Sequence, residues 1–347
     1  MKRILVRAPN WIGDQIMAYP FYRQLRSAYP DAWIGVVCTE WVRDIQFRGL
    51  IDEVFVLPRG KTDSVVKTFF KLLRFSKKLR KKGPWDLGVS LPNSFGAALL
   101  LLLSGVKRRR GYIADARGFL LNEGIGFDPS SVTHRAQAYL GLLAREGGFE
   151  FEGQEYWTKS GETEFDPYVH WQEIEPIEPP DGAYFIIAPG SNADSRRWTA
   201  SQFADLIELM IAKHQMRAVV VGGKAEKEIA AALFKRGITI LDYTGRGWVA
   251  AHWKLFRNAT FTVCNDSGLA HVAALCGSRV QLVWGAGDPK RTRPIGPGRV
   301  QIKVNPVDCW PCERNSCLYQ GSRRNQCLKG IEPAAILGEV ENGFIFS

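Results

Sequence analysis

The architecture can be read outward from Cys264-Asn265-Asp266-Ser267-Gly268-Leu269-Ala270-His271-Val272-Ala273-Ala274. Before it runs Ala259-Thr260-Phe261-Thr262-Val263, β-branched and aromatic, which reads as a buried strand. After it, Leu269 to Leu275 is small and apolar at helical spacing. Asp266 and Ser267 fall at the junction, where an N-cap belongs, and Gly268 lets backbone approach a bound group. A strand that turns directly into a helix offers unpaired N–H groups and the positive end of the helix dipole, where phosphates bind. The same residues also fit an ordinary capped turn with no ligand.

The alternation recurs on both sides. Ile4-Leu5-Val6-Arg7 is a strand, and Ala8 to Gln15 a loop entering a helix that runs to about Tyr29, with Ile12, Ile16, Tyr19 and Leu25 on its apolar side. Further strands are expected at Trp33–Val37, Val54–Leu57, Asp86–Leu91, Tyr184–Ala188, Ala218–Gly223 and Ser278–Trp284. Strands alternating with helices predict an α/β chain with doubly wound parallel sheets. At 347 residues the chain accommodates two domains. The acidic stretch 150–182, with Pro176, Pro179 and Pro180, marks a linker. The expected domains are therefore 1–175 and 176–347, with a closing helix over Glu332–Glu341 that is free to return to the first.

Lys and Arg total 46 against 35 Asp and Glu, a net charge of +11. That excess favours an anionic partner: nucleic acid, phosphorylated lipid or nucleotide sugar. No nucleic-acid module is recognisable, which leaves that class resting on charge alone. No secretory h-region or membrane-length apolar run is visible, and a soluble cytosolic protein is expected. Arg59 to Lys82 is dense in Lys and Arg, with Val65, Phe69, Leu72, Leu73 and Leu79 at helical spacing. It predicts an amphipathic helix whose apolar side, Val65 and Phe69 included, covers the sheet. Its basic side faces solvent or an anionic membrane surface.

Several residues fall where open α/β sheets hold ligands, just past strand ends. Asp14 can act there as a base or simply as a first-turn acid. Gly190, Ser191 and Arg196 suit a phosphate. Glu226 and Glu228, after Gly222-Gly223, suit ribose hydroxyls. No GxGxxG is present, which weakens a nicotinamide reading. Cys309 and Cys312 form a CxxC, followed by Cys317 and Cys327. Four thiols suit a structural zinc, but the spacing matches no standard ribbon, and reduced thiols fit equally. The group lies past the last strong motif and is expected to be remote from catalysis.

Taken together, four blocks resemble the ADP-heptose:lipopolysaccharide heptosyltransferases, glycosyltransferase family nine, and most closely their type II branch. They are Ala8-Pro9-Asn10-Trp11-Ile12-Gly13-Asp14, Leu91-Pro92-Asn93-Ser94-Phe95, Pro189-Gly190 with Arg196-Arg197-Trp198, and Asn265 to Ala273. The resemblance implies the GT-B architecture, two Rossmann-like domains facing across a cleft, and an inverting transfer without a catalytic metal. It implies Asp14 as the catalytic carboxylate. Arg196 stands where many members carry a Lys on the donor diphosphate, Glu226 matches a ribose-binding Glu, and Asp266, Ser267, Gly268 and His271 match the donor segment. Asn93, Ser94, Arg109 and Arg110 are the expected acceptor contacts. The implied partners are ADP-heptose and a phosphorylated lipid A-core acceptor, met peripherally at the cytoplasmic face of the inner membrane. A related transferase using another nucleotide sugar or acceptor is the alternative.

Overall fold

The computed structural model describes residues 1–58, 64–114, 116–126, 128, 133–144 and 165–345. They divide into two compact units, Met1–Glu152 with Tyr168–Gln172, and Gly153–Pro167 with Glu173–Ser347. Of the expected linker, residues 150–164 lie outside the described residues. The stretch 168–172 belongs to the first unit, where the His170 ring packs edge-on against Tyr19 and Phe47.

Each unit is built on one six-stranded, wholly parallel sheet. The first contains β1 (Arg3–Arg7), β2 (Trp33–Cys38), β3 (Glu53–Val56), β4 (Leu87–Ser90), β5 (Arg108–Ile113) and β6 (Glu123–Gly126), in the order β3-β2-β1-β4-β5-β6. The second contains β7 (Tyr184–Ala188), β8 (Arg217–Val220), β9 (Leu241–Asp242), β10 (Thr262–Asn265), β11 (Val280–Trp284) and β12 (Val300–Val304), in the order β12-β11-β10-β7-β8-β9. Read from the other side, that is the same doubly wound order, so the chain order reverses between β1 and β4 and again between β7 and β10. Ligands of such sheets bind outside the carboxyl ends of the strands at these reversal points. The central strands read as unbroken apolar runs because helices cover both faces. Tyr184–Ala188 and Val280–Trp284 are buried along their whole length. Strands β6, β9 and β12, which sequence patterning does not reveal, are short or half-polar and lie at or next to the sheet edges.

The first unit's helices are α1 (Ile12–Met17), α2 (Tyr19–Ala28), α3 (Val65–Lys82), α4 (Phe95–Leu103) and α5 (Arg135–Gly141). The single helix expected from Gln15 to Tyr29 is broken at Ala18. Pro20 stands in the first turn of α2, and a proline has no N–H to continue a helix and crowds the carbonyl four residues back. Of the basic segment, Arg59, Lys61 and Asp63 lie outside the described residues. Its helix α3 forms, yet only half of it packs as expected. Leu72, Ser76 and Leu79 are buried, the two leucines in one core with Trp85, Leu100 and Leu101. Val65 is 87% exposed, Phe69 45% and Phe70 60%. The reason is length. Eighteen residues of helix span about 27 Å, while the four-residue strands beside it reach about 13 Å. The first turns of α3 outrun the sheet, and Val65 and Phe69, which helical spacing assigns to the core, are left exposed.

The second unit's helices are α6 (Ala200–His214), α7 (Lys227–Lys235), α8 (Trp253–Asn258), α9 (Gly268–Leu275) and α10 (Pro333–Val340). Thr199 caps α6, accepting from Gln202 N at 3.2 Å. Helix α10 stays with the second unit instead of returning to the first. Its Ile336 and Val340 join Phe203, Ile207 and Met210 of α6 in one core.

Candidate active site

In the first unit the sequence around β1 holds the site loop rigid. Arg7 is 4% exposed and donates to Ala8 O, to Val37 O at 3.4 Å and to Asn10 Oδ1. Trp41 Nε1 donates to Asn10 O. This clamp sets the start of α1, whose first turn carries Asp14. The Asp14 side chain is 25% exposed, and Arg135 Nε stands 3.7 Å from its Oδ1. The Tyr139 phenol is kept neutral beside it, its pKa raised by burial and, secondarily, by the Asp14 charge.

On the other side of the reversal point, β4 ends in Leu91-Pro92-Asn93-Ser94. This loop is organised by a residue that sequence reasoning does not single out. Arg117 is fully buried. Its Nη2 donates to Asn93 Oδ1 at 2.8 Å and to Tyr112 O at 2.6 Å, and its Nε to Tyr112 O at 2.9 Å. Its Nη1 reaches Pro92 O, Ser90 Oγ and Ser94 O. Ser94 itself is exposed at the start of α4. The signal for Arg117 was positional: it follows β5 as Asn93 follows β4, at the same edge of the sheet.

The expected acceptor contacts Arg109 and Arg110 need correction. Register pairs Arg108 with Leu87 and Arg109 with Gly88, the first residues of β4. Arg108 and Arg109 therefore stand at the amino edge of the sheet, opposite the ligand edge. Arg110 is fully buried, with Nη2 2.8 Å from Glu123 Oε2 and Nη1 donating to Leu142 O at 3.1 Å. Arg109 donates to Leu120 O at 2.8 Å and to Val106 O at 2.9 Å. Arg108 and Arg110 together hold the Glu123 carboxyl below its ordinary range against the opposing effect of burial. The cluster ties β5 to β6.

In the second unit the expected donor residues converge. Ser191 Oγ, buried, donates to Asp266 O at 3.0 Å. Asn265 bridges two strand ends, donating to Pro189 O at 2.6 Å and accepting from Trp198 N at 3.0 Å. Arg196 lies on the turn Asp194–Arg196, and its Nη1 is 3.1 Å from Asp266 Oδ2. Glu226 folds back over its own loop, Oε2 accepting from Gly223 N at 2.7 Å. It also lies flat on Gly190: a Cβ there would meet Glu226 Cδ at 2.8 Å, so only glycine admits this carboxylate beside the end of β7. Ser267 is the N-cap residue of α9 but makes no side-chain cap bond. His271 is buried one turn further in.

Asp266 does not cap the helix. It is 5% exposed, and burial raises its carboxyl pKa to about 6, with Arg196 opposing the rise. The ion contact lacks hydrogen-bond geometry. Asp266 Oδ2, Arg196 Nε and Ser267 Oγ have no hydrogen-bond partner among the described residues. Buried polar atoms are ordinarily satisfied, and these three lie together beside the strand–helix junction at the end of β10.

Cys309, Cys312, Cys317 and Cys327 line one cavity of about 310 Å³. The Cys327 thiol pKa is raised by burial and by the three neighbouring thiols. Among the described residues, however, no group of three or more His, Cys, Asp or Glu side chains is placed to hold a metal ion, and a structural zinc here is unsupported. The group, expected to be remote from catalysis, lies against the turn that carries Arg196: Ser195, on that turn, lines the same cavity.

The chain is similar along most of its length to known proteins. The family model described as Glycosyltransferase family 9 (heptosyltransferase) matches residues 72–322. Lipopolysaccharide heptosyltransferase 2 of Escherichia coli (strain K12) is 28% identical, covering 84% of this chain and 85% of that protein. The solved structure of the E. coli ADP-heptose lipopolysaccharide heptosyltransferase II superposes with a TM-score of 0.74 at 22% identity, covering 100% of this chain and 99% of that one. An E. coli heptosyltransferase, WaaC, solved with ADP superposes with a TM-score of 0.71 at 17% identity, covering 98% and 99%.

Proposed function

The chain belongs to glycosyltransferase family 9, and we propose that it transfers a heptose from ADP-heptose to the heptosylated inner core of lipopolysaccharide. The observation that carries this reading is the unsatisfied trio Asp266 Oδ2, Arg196 Nε and Ser267 Oγ at the ends of β7 and β10. ADP in the WaaC structure and the names of the similar enzymes support the donor and the acceptor class. Asp14 takes the proton from the acceptor hydroxyl as its oxygen attacks the anomeric carbon. The bond from that carbon to the diphosphate oxygen breaks on the opposite face, inverting the configuration. Arg196 and the N–H groups opening α9 gather the charge that develops on the departing ADP. Asp266, a hydrogen-bond acceptor when ionised, suits sugar hydroxyls, and Glu226 beside Gly190 suits those of the ribose. Gly190, Ser191 and Gly268 keep the strand ends narrow enough for a phosphate to approach backbone, and His271 backs the α9 turn behind them.

On the acceptor side Asn93 and Ser94 remain, without Arg109 and Arg110, as the groups at the ligand edge. Among the described residues no helix is long and apolar enough to cross a membrane. Contact with a lipid-borne acceptor falls instead to α3, whose overhanging Val65, Val66, Phe69 and Phe70 stand with Arg74, Lys77 and Lys78 in solvent. Aromatic and aliphatic side chains flanked by cations suit an anionic bilayer surface, here the cytoplasmic face of the inner membrane.

The test is a transfer assay with Asp14→Asn alongside a thermal-shift series of nucleotides. Loss of turnover with unchanged ADP stabilisation supports the reading. Equal stabilisation by ADP, UDP and GDP would remove the ADP-heptose donor assignment while leaving the fold untouched.

A further inference from the structure

The loop carrying the four cysteines folds onto the short turn that carries Arg196. Arg324 Nη2 meets Asp194 Oδ2 at 2.8 Å, and Asn325 Nδ2 donates to Asp194 O at 3.0 Å. Ser195 N donates to Asn315 O at 3.4 Å, and Ser195 Oγ to Arg314 O. From the other side, Ala286 N donates to Ser195 O at 3.2 Å, and Glu313 N to Ala286 O at 2.8 Å. Gly285 is required here, because a Cβ at that position would stand 2.3 Å from Ser195 O. The Asp194 carboxyl is held below its ordinary range, chiefly by its hydrogen bond to Arg324.

A three-residue 3₁₀ turn cannot hold its own shape, since it closes almost no internal hydrogen bonds. Its own turn closes only through Arg196 N to Ala193 O at 3.1 Å and Arg197 N to Asp194 O at 3.2 Å. The other contacts that fix Asp194 and Ser195 come from outside it, and two of them, Arg324 and Asn325, lie 130 and 131 residues further along the chain. The Arg196 guanidinium meanwhile reaches Asp266.

We infer that Arg324 and Asn325 are positioning residues of the donor site: by clamping Asp194 they fix the backbone from which Arg196 reaches the donor diphosphate. This rests on the reading of Arg196 as the diphosphate cation. Without the clamp, the turn has to be ordered when the donor binds, and ordering one such segment weakens binding by roughly five- to tenfold. Arg324 is 49% exposed in this pair, and an exposed ion pair contributes little to folding, so its removal leaves the fold intact.

Calorimetric titration of the full-length chain with ADP, together with donor kinetics, tests the clamp. Arg324→Ala is expected to raise the ADP Kd and the donor KM in parallel, about five- to tenfold, with kcat at saturating donor close to the parent. Arg324→Lys, which restores a cation to Asp194, is expected to recover most of the loss. A merely structural role would lower the melting temperature and the active fraction while leaving KM in place. If Arg324→Ala does not fold, Asp194→Asn severs the same pair from the other end and is expected to give the same shift in KM. Unchanged Kd and KM in Arg324→Ala, alongside weakened ADP binding in Arg196→Ala, overturns the clamp alone. Unchanged ADP binding in Arg196→Ala overturns the donor-site reading, and the clamp falls with it.

Discussion

The two sheets share one strand order, and each ends at its reversal point in a loop governed by an arginine. The two arginines do opposite things. Arg117, at the carboxyl edge of the first sheet, is fully buried, and its donors are taken up by oxygens of Ser90, Pro92, Asn93, Ser94 and Tyr112. Arg196, at the matching edge of the second, has a side chain 28% exposed, meets one carboxylate and, among the described residues, has no hydrogen-bond partner for Nε. A guanidinium whose five N–H donors are already matched by the fold builds a loop. One that retains free donors next to an unsatisfied carboxylate is available to a ligand. The cluster Arg108–Arg110 has three times the charge of either and lies mostly at the wrong edge. Charge density alone is therefore a poor guide to a binding site.

The contrast can be broken in several ways, and the largest effect is expected at the first edge. Asp14→Asn should lower turnover by about 10²- to 10⁴-fold, the usual share of a general base, with the ADP Kd unchanged in calorimetry. A comparable loss of ADP affinity would mean that the two edges do not divide chemistry from donor binding. Next, Arg117→Ala should destabilise the fold by about 3–5 kcal/mol in denaturant titration, because it strands buried acceptors around Asn93 and Tyr112. Lys at this position should not rescue, having no planar fork. The folded fraction should still bind ADP.

Arg196→Ala should do the reverse. The loss of stability should be smaller than for Arg117→Ala and confined to pH values above about 6, where the buried Asp266 carboxylate loses its facing cation. ADP binding should weaken by about 2–3 kcal/mol, the value of charge-assisted hydrogen bonds. Asp266 sharpens the second edge through pH. Its folded pKa, near 6, lies above the ordinary unfolded value of about 3.9, so the native state binds the proton more tightly. The stability this contributes is fully present below about pH 4 and is lost as pH rises through about 6. Asp266→Asn has no such titration. Its stability relative to the parent should rise between pH 4 and 6, by on the order of 2 kcal/mol, measured by denaturant unfolding at a series of pH values. A flat difference would place the carboxyl in water. The smallest effect on the fold is expected from Phe69→Ser combined with Phe70→Ser, within about 0.5 kcal/mol because both rings are exposed. The same variant should lose binding to anionic vesicles. Retained binding would return α3 to the status of a surface helix.

Much of this was readable from local pattern. Apolar runs such as Tyr184–Ala188 and Val280–Trp284, alternating with helical stretches, determine a parallel α/β chain, because only strands covered on both faces are apolar throughout. Once that class is set, residues immediately after β1, β7, β8 and β10 must lie at the ligand edge. Asp14, Gly190, Ser191, Glu226 and Asp266 can be placed at that edge by their distance from a strand end, while the roles expected of them come from the family resemblance. What tertiary structure alone decided is which side chains are neighbours across long separations, and how far each element extends. Burial of Arg110 depends on Glu123 and Leu142. The role of Arg117 depends on a loop 24 residues earlier. Exposure of Phe69 depends on where the sheet beneath α3 stops. The cysteine loop touches the Arg196 turn through contacts about 130 residues apart in sequence. Helical and strand periodicity report only a residue's side of its own element, whereas burial and ion pairing are set by what the fold brings against that side.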